Sequence, residues 1–219
     1  MEWTFLPVLC AAGCMLAGYL LGSINFAIII TRLFGKGDIR DYGSGNAGMT
    51  NVLRTVGKGA AALTLLGDFS KGIVAVILAR IVFHLCFGAE NIVLLDYLVA
   101  YSALLGHTFP VFYGFKGGKG ILVSAGAMFI LAPWTLLICL SGFLIVTAIT
   151  KYVSAGSIIA ALLFPAGNIL TTYLRFGHVD WLSVLLAVPI MLFVIYLHHA
   201  NIGRLIHGTE RKISFKKPQ

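Results

Sequence analysis

The sequence predicts an all-α fold: a polytopic integral membrane helical bundle with seven transmembrane helices. Its N-terminus is expected outside and its C-terminus in the cytoplasm. Three observations carry this. Of 219 residues, 59% are hydrophobic and only 11% charged, with a mean hydropathy of +0.95. A soluble domain carries about 25% charged residues, so this chain has too few to cover a water-facing surface. The apolar residues fall into long runs separated by short basic islands. No sustained period-2 alternation appears, which leaves helices as the backbone solution inside a bilayer.

The elements follow in chain order. An apolar run over roughly residues 4–31 has no basic segment before it and is too long for a signal-peptide core, so it reads as a first span. The island from Arg32 to Lys58 comes next. A second run covers about 59–87, interrupted by "GDFSKG", and a third about 92–105. The island "GHTFPVFYGFKGGKG" fills 106–120. The following run, from Ile121 to Ile149, is broken by Pro133 and Trp134, and two more cover about 158–174 and 181–197. A basic tail ends the chain. The whole of 1–219 reads as one membrane-embedded domain.

Lysines and arginines set the topology. Arg32, Lys36, Arg40, Arg54 and Lys58 lie in the first island; Lys116, Lys119 and Lys151 mark the middle islands; Arg204, Arg211, Lys212, Lys216 and Lys217 lie in the tail. The opposite connections carry Glu90, Asp180 and a lone Arg175. The positive-inside rule puts every basic island in the cytoplasm. An even number of crossings must then separate Lys119 from Lys151. The single run between them is long enough for two short helices turning near Pro133-Trp134, which gives seven spans. One long tilted helix, and six spans, is the rival. The net charge of +8 reports cytoplasmic loops and not nucleic acid. Cys10, Cys14, Cys86 and Cys139 all sit in apolar runs and form no C-x-x-C, so they read as small buried hydrophobes; no metal is indicated.

The unusual chemistry gathers in the islands. Gly43, Gly45 and Gly48 spell G-x-G-x-x-G. That fingerprint requires a preceding buried strand, and the charged "FGKGDIRD" is not one, so the nucleotide reading is weak. Glycine N–H groups can instead form an anion-binding concavity. Ser44, Asn46 and Asn51 add neutral hydrogen bonds, and Arg54 offers a fork suited to phosphate. A glycine-rich loop with a snorkelling arginine is the plain alternative. "GFKGGKG" fails the Walker A pattern, being one residue short with Gly120 in place of the required Ser/Thr. Gly117, Gly118 and Gly120 with Lys116 and Lys119 still suit a phosphate without a metal, or a basic loop on lipid headgroups. His198 and Asn201 lie one turn apart, able to face one ligand. Asp68 and Lys71, spaced i, i+3 within a run, are either a self-neutralising pair or functional.

These islands resemble the bacterial acyl-phosphate:glycerol-3-phosphate acyltransferases, the PlsY family. The first matching motif is S-G-N-x-G-x-x-N-x-x-R, from Ser44 to Arg54. The second is G-H-x-F-P followed by F-K-G-G-K-G, from Gly106 to Pro110 and Phe115 to Gly120. The third is H-x-x-N-I-x-R-L with G-x-E, from His198 to Leu205 and Gly208 to Glu210. D-x-x-K-G at Asp68 and Y-V-S-x-x-S at Tyr152 also fit. The second motif commonly continues G-V-A-T, where this chain has Gly120-Ile121-Leu122-Val123.

The resemblance implies a seven-helix enzyme of the bacterial cytoplasmic (inner) membrane. It would move a fatty acyl group from acyl phosphate to the 1-hydroxyl of sn-glycerol 3-phosphate, giving lysophosphatidic acid and phosphate, the first acylation of phospholipid synthesis. It implies no cofactor, and association with the enzyme that forms acyl phosphate. Ser44, Gly45, Asn46 and Gly48 are expected to hold acyl phosphate and polarise its carbonyl. Arg54, Lys119, Gly117, Gly118, Gly120, His198 and Asn201 are expected on glycerol 3-phosphate, with Ser44, Asn46, Arg54 and Lys119 carrying the catalysis. Asn51, His107 and Glu210 are expected in support. The H-x-x-x-x-D signature of other acyltransferases is absent from the chain. A membrane carrier for phosphorylated metabolites is the alternative, but that class needs internal repeats and a site near the midplane.

Overall fold

A computed structural model describes residues 5–88 and 92–213. Glu90, Lys216 and Lys217 lie outside the described residues. Among those described there is no strand, and ten α-helices account for most of the chain. They fall into two compact units, one reaching Leu131 and one beginning at Ala132.

The first unit holds α1 (Phe5–Ser23), α2 (Phe26–Leu33), α3 (Met49–Thr55), α4 (Lys58–Phe87), α5 (Val93–Thr108) and α6 (Ile121–Leu131). Its helices meet through small residues. A Cβ at Gly22 on α1 would strike the Ala103 carbonyl on α5, and one at Gly106 on α5 would strike the Tyr19 carbonyl on α1. Gly72 on α4 and Gly126 on α6 make the same reciprocal approach, to the carbonyls of Val123 and Phe69. In lipid, where apolar burial drives little association, such close backbone packing holds helices together. Arg80 on α4 grips Asp96 on α5 with three hydrogen bonds of 2.6–3.1 Å, closing a charge pair between two apolar helices.

The apolar run expected as one first span is broken. α1 stops at Ser23, and α2 restarts behind Asn25, whose side chain caps it by accepting from the Ile28 N–H at 3.2 Å. The cause is tertiary. Lys71 of α4 donates to the Gly22 carbonyl at 2.9 Å and the Ile24 carbonyl at 2.7 Å, two groups an unbroken helix would keep for itself. "GDFSKG", in contrast, does not interrupt α4, which runs through it for 30 residues.

The second unit contains α7 (Pro133–Thr150), α8 (Val153–Phe176), α9 (Trp181–Leu197) and α10 (His199–Ile206). Pro133 stands at the start of α7, where its missing N–H costs nothing. The 121–149 run is therefore two helices separated at Ala132, beside the expected turn. α8 packs on α7 through Gly142, Gly156 and Gly167, and Thr135 and Thr171 hydrogen-bond at 2.9 Å across the pair. α10 leaves α9 at 56°.

Among the described residues, four stretches are long and apolar enough to cross a bilayer: Phe5–Leu33 counted through its break, Lys58–Phe87, Pro133–Thr150 and Val153–Phe176. The bent α9–α10 pair makes a fifth if taken as one span. α5 and α6, with 16 and 11 residues, are shorter.

Candidate functional site

The first two motifs are built into the first unit. Asn51, on α3, folds the 39–48 loop around itself. Its amide nitrogen donates to the carbonyls of Ile39 (3.2 Å), Tyr42 (2.9 Å) and Asn46 (3.2 Å), and its oxygen accepts from the Ser44 N–H at 3.1 Å. Asn51 is buried, and its side chain is spent inside the loop. Gly43 lies at φ +61°, and a Cβ there would strike the Asn51 side-chain oxygen, so only glycine fits. The result exposes Ser44 and leaves Asn46, Lys119 and Arg54 half-buried.

Arg40 joins this loop to the next. Its guanidinium binds Asp38 at 2.8 and 2.9 Å and donates to the carbonyls of Tyr113 (2.7 Å) and Lys116 (3.1 Å). Arg32 reaches Asp38 at 3.0 Å and lies 5.9 Å from the centre of the Tyr113 ring. The Arg40 guanidinium beside Asp38 holds that carboxyl down at about 2. Two of the first island's five cations thus clamp loops together.

The glycines of "GFKGGKG" pack the loop onto the end of α5. The N–H groups of Gly117 and Gly118 donate to the carbonyls of Thr108 (3.0 Å) and His107 (3.1 Å). In the first motif the N–H groups of Gly45 and Gly48 donate to Tyr42 and Asn46 carbonyls, both at 3.0 Å. This corrects the expected nest: these four N–H groups are used within the protein, and their glycines supply space. A Cβ at Gly117 would meet the His107 carbonyl; one at Gly118 would meet His107 Nε2 and lie 2.5 Å from the Ala47 oxygen; one at Gly120 would meet Leu104. The orphan donors beside the loop are the first-turn N–H groups of α6, which opens directly after Gly120.

His107 is buried beneath that loop, and its Nδ1 lies 2.9 Å from Lys71 Nζ. Asp68 pairs with Lys71 at 2.9 Å and stands 3.6 Å from the same Nδ1. Spacing alone did not connect His107 to this pair. The D-x-x-K-G signature was the available signal, but its partner lies 36 residues on.

The third motif lies in the second unit. His198 ends α9, buried, its Nδ1–H donating to the Val194 carbonyl at 2.8 Å. That fixes Nε2 as the acceptor of the neutral ring. Glu210 gathers three donors: Ser154 (2.9 Å) and Asn201 (2.7 Å) on one oxygen, Arg204 (2.7 Å) on the other. Burial alone would raise its carboxyl, but the hydrogen bonds from Asn201, Arg204 and Ser154 outweigh that and hold it below the usual range. Sequence reading gave Ser154 no role; it ties the Y-V-S signature to the third motif.

Among the described residues no group of three or more His, Cys, Asp or Glu is arranged to hold a metal ion. No histidine or carboxylate hydrogen-bonds the Ser44 hydroxyl among them either.

The helices and glycine-packed basic loops define a multi-pass membrane protein with phosphate-compatible chemistry in its connections. The chain belongs to the glycerol-3-phosphate acyltransferase family, whose model matches residues 12–208. It is 43% identical over 199 residues to the glycerol-3-phosphate acyltransferase of Clostridioides difficile strain 630, covering 91% of this chain and 93% of that one. The Bordetella pertussis (Tohama I) glycerol-3-phosphate acyltransferase is 42% identical over 216 residues, covering 96% and 95%. Two crystal structures of PlsY (YgiH), an integral membrane glycerol 3-phosphate acyltransferase, are similar in fold at 33% identity. The glycerol 3-phosphate form has a TM-score of 0.78 and covers 93% of this chain and 96% of that one. The form with lysophosphatidic acid scores 0.76 and covers 94% and 96%.

Proposed function

We propose that this chain transfers a fatty acyl group from acyl phosphate to the 1-position of sn-glycerol 3-phosphate, releasing lysophosphatidic acid and inorganic phosphate. The observation that carries it is the likeness, over more than nine-tenths of the chain, to PlsY structures in a glycerol 3-phosphate form and a lysophosphatidic acid form. The three motifs and the absence of H-x-x-x-x-D support acyl phosphate as donor. The family match spans both compact units, which supports one acyltransferase domain over 1–219. It would sit in the bacterial cytoplasmic (inner) membrane, the two shorter helices completing seven spans, with the N-terminus outside, the C-terminus inside and the acyl-phosphate-forming enzyme as partner.

In this reading the 1-hydroxyl oxygen attacks the acyl carbonyl carbon. A new C–O bond forms, the bond from acyl carbon to phosphate oxygen breaks, and the hydroxyl proton passes to the departing phosphate. Ser44 and Asn46, with Gly45 and Gly48 leaving room, hold acyl phosphate and stabilise charge on the carbonyl oxygen. Arg54 and Lys119 anchor glycerol 3-phosphate beside the space kept by Gly117, Gly118 and Gly120, and His198 and Asn201 orient it. Direct transfer is the reading preferred here, with Ser44 as a covalent nucleophile the alternative, since no base hydrogen-bonds Ser44 among the described residues. Positioning and charge neutralisation then do most of the catalysis.

The test is purified protein in detergent with palmitoyl phosphate and glycerol 3-phosphate, following phosphate release and the position of the acyl group. Equimolar lysophosphatidic acid acylated at the 1-position is expected. Uptake of glycerol 3-phosphate by proteoliposomes without product would replace this reading with the carrier.

A further inference from the structure

A patch of large apolar side chains stands exposed among the basic loops of the first unit. Phe109 (42%), Phe112 (59%) and Phe115 (57%) recur at every third residue of the second loop, and Leu33 (76%) and Phe34 (51%) stand at the end of α2. The two segments meet where the Arg32 guanidinium lies 5.9 Å from the centre of the Tyr113 ring. Exposed cations border the patch: Arg32, Lys36 and Lys116. Residues 106–120 contain no acidic side chain, and Asp38 is spent on Arg40 and Arg32, which leaves Asp41 as the exposed carboxylate of the first loop.

The level of this patch follows from its anchor. α1 has 19 residues, about 28 Å of helix, close to the ~30 Å of a hydrocarbon layer. Tyr19 lies one turn inside the end of α1 that the proposed topology makes cytoplasmic, and its hydroxyl donates to the Phe109 carbonyl at 2.8 Å. The second loop therefore starts at the rim of the hydrocarbon. Phe115 adds an independent observation. It takes φ +58°, a left-handed backbone that a bulky residue rarely adopts. Its N–H donates to the Pro110 carbonyl at 3.0 Å, and Arg40 holds the carbonyls of Tyr113 and Lys116 on either side. Glycine would take that φ without strain. The chain instead imposes it on a phenylalanine and leaves the ring more than half exposed. A ring set outward at a cost in backbone strain has its partner outside the protein.

We propose that this patch is a lipid-docking surface: Phe112, Phe115 and the end of α2 sink into the headgroup layer of the cytoplasmic leaflet, while Lys36 and Lys116 lie on the phosphates of anionic lipids. Aromatic rings favour that layer, and basic residues beside a bilayer attract anionic headgroups. The docked loop carries "GFKGGKG", so its basic glycine segment is held at the depth where a single-chain phosphate amphiphile presents its headgroup. The proposal rests on the cytoplasmic placement of these loops; only its kinetic test rests on the acyltransferase reading.

Single cysteines in place of Phe112 and Phe115, in a cysteine-free background, carry a nitroxide label in nanodiscs of phosphatidylcholine with phosphatidylglycerol. Collisions with oxygen, which dissolves in lipid, should exceed those with a neutral, water-soluble nickel chelate. More nickel than oxygen collision places the rings in water, as a docking site for a protein partner would be, and overturns the proposal. Shielding from both reagents means that the protein itself covers the rings, and overturns it as well. In nanodiscs of phosphatidylcholine alone, or with Lys36→Gln, the label at position 112 should become more accessible to nickel; an unchanged label refutes the anionic contact. The kinetic test uses Phe115→Gly, which takes the same φ without strain, so Tm should hold. Its KM for palmitoyl phosphate in anionic nanodiscs should rise about tenfold, the worth of one buried ring, and Phe115→Leu should recover most of that. A wild-type KM in Phe115→Gly shows an idle ring, and a rise confined to glycerol 3-phosphate shows a ring that serves its own loop; either refutes the docking role. Should the wild type fail to acylate glycerol 3-phosphate at all, the functional reading fails while the label accessibilities still decide the docking surface.

Discussion

Gly118→Ala puts one methyl group where the two loops touch. The added carbon would lie 2.5 Å from the Ala47 oxygen and 3.1 Å from His107 Cε1, and closer still to His107 Nε2. Neither neighbour yields cheaply. The Ala47 carbonyl is backbone, and the His107 ring is tied to Lys71 at 2.9 Å. Overpacking of this kind costs about 1–3 kcal/mol. At about 2–4 °C per kcal/mol for a chain of this size, Tm should drop by about 2–12 °C. If the strain falls on the reactive geometry, kcat/KM should drop by about 5- to 150-fold. Because the methyl presses on both motifs, KM for acyl phosphate should rise along with KM for glycerol 3-phosphate. The assay is thermal unfolding in detergent together with initial rates at varied concentrations of each substrate. Gly59→Ala is the matched control: nothing lies within 4 Å of its added carbon, so it should leave Tm and both KM values unchanged or raise Tm slightly. A Gly118→Ala protein with the Tm and kinetics of wild type would refute the close-packed seam. A rise confined to glycerol 3-phosphate would show that the first loop does not share the site with Gly118.

Ser44→Ala should lower kcat by on the order of 10²-fold or more, with KM for glycerol 3-phosphate little changed, because its bond strengthens as charge develops on the carbonyl; a retained kcat in folded protein removes Ser44 from the mechanism. Glu210→Gln should lower Tm at pH 7. The folded carboxyl lies below its unfolded value, so its stabilisation is present at neutral pH and fades as pH falls below about 4, where melting curves of variant and wild type should converge. Activity should require acyl phosphate and survive EDTA; acylation supported by acyl-CoA, or abolished by chelator, contradicts the donor assignment. Cysteines placed singly at Met49, Phe115 and Ile213 in a cysteine-free background should label only from the cytoplasmic side, and labelling of Ile213 from outside refutes seven spans.

What the sequence made legible was local. Charge scarcity and run lengths gave helices in a membrane, and Pro133 marked a real boundary, at a helix start where proline fits, whereas Pro165 and Pro189 lie inside continuous helices. The motifs were readable as strings. Their internal division of labour was not, because it depends on partners far along the chain. Arg40 and Arg54 look alike in sequence, yet Arg40 is committed to carbonyls 73 and 76 residues away. The glycines were correctly singled out, but for a different physical reason: Gly117 and Gly118 give their N–H groups to the end of α5 and their missing side chains to the seam.

The broken first span is the instructive case. Between Leu21 and Phe26 the punctuation is Gly22, Ser23 and Asn25, which is weak within so long an apolar run. The reason for the break lies 47 and 49 residues later, in the ammonium of Lys71. A lysine buried there requires acceptors, and a continuous helix has none to offer, since its carbonyls are taken by its own N–H groups. Breaking α1 frees two carbonyls at once; Asn25 limits the loss by capping the restart. The same ammonium then reaches His107, at the foot of the second motif. Helix break, charge pair and histidine are therefore one construction. A leucine at position 71 would remove the reason for the break and leave the Asp68 carboxylate without its partner at 2.9 Å. The family signature D-x-x-K-G, readable only as a pattern in the sequence, acquires a physical meaning once those distances are known.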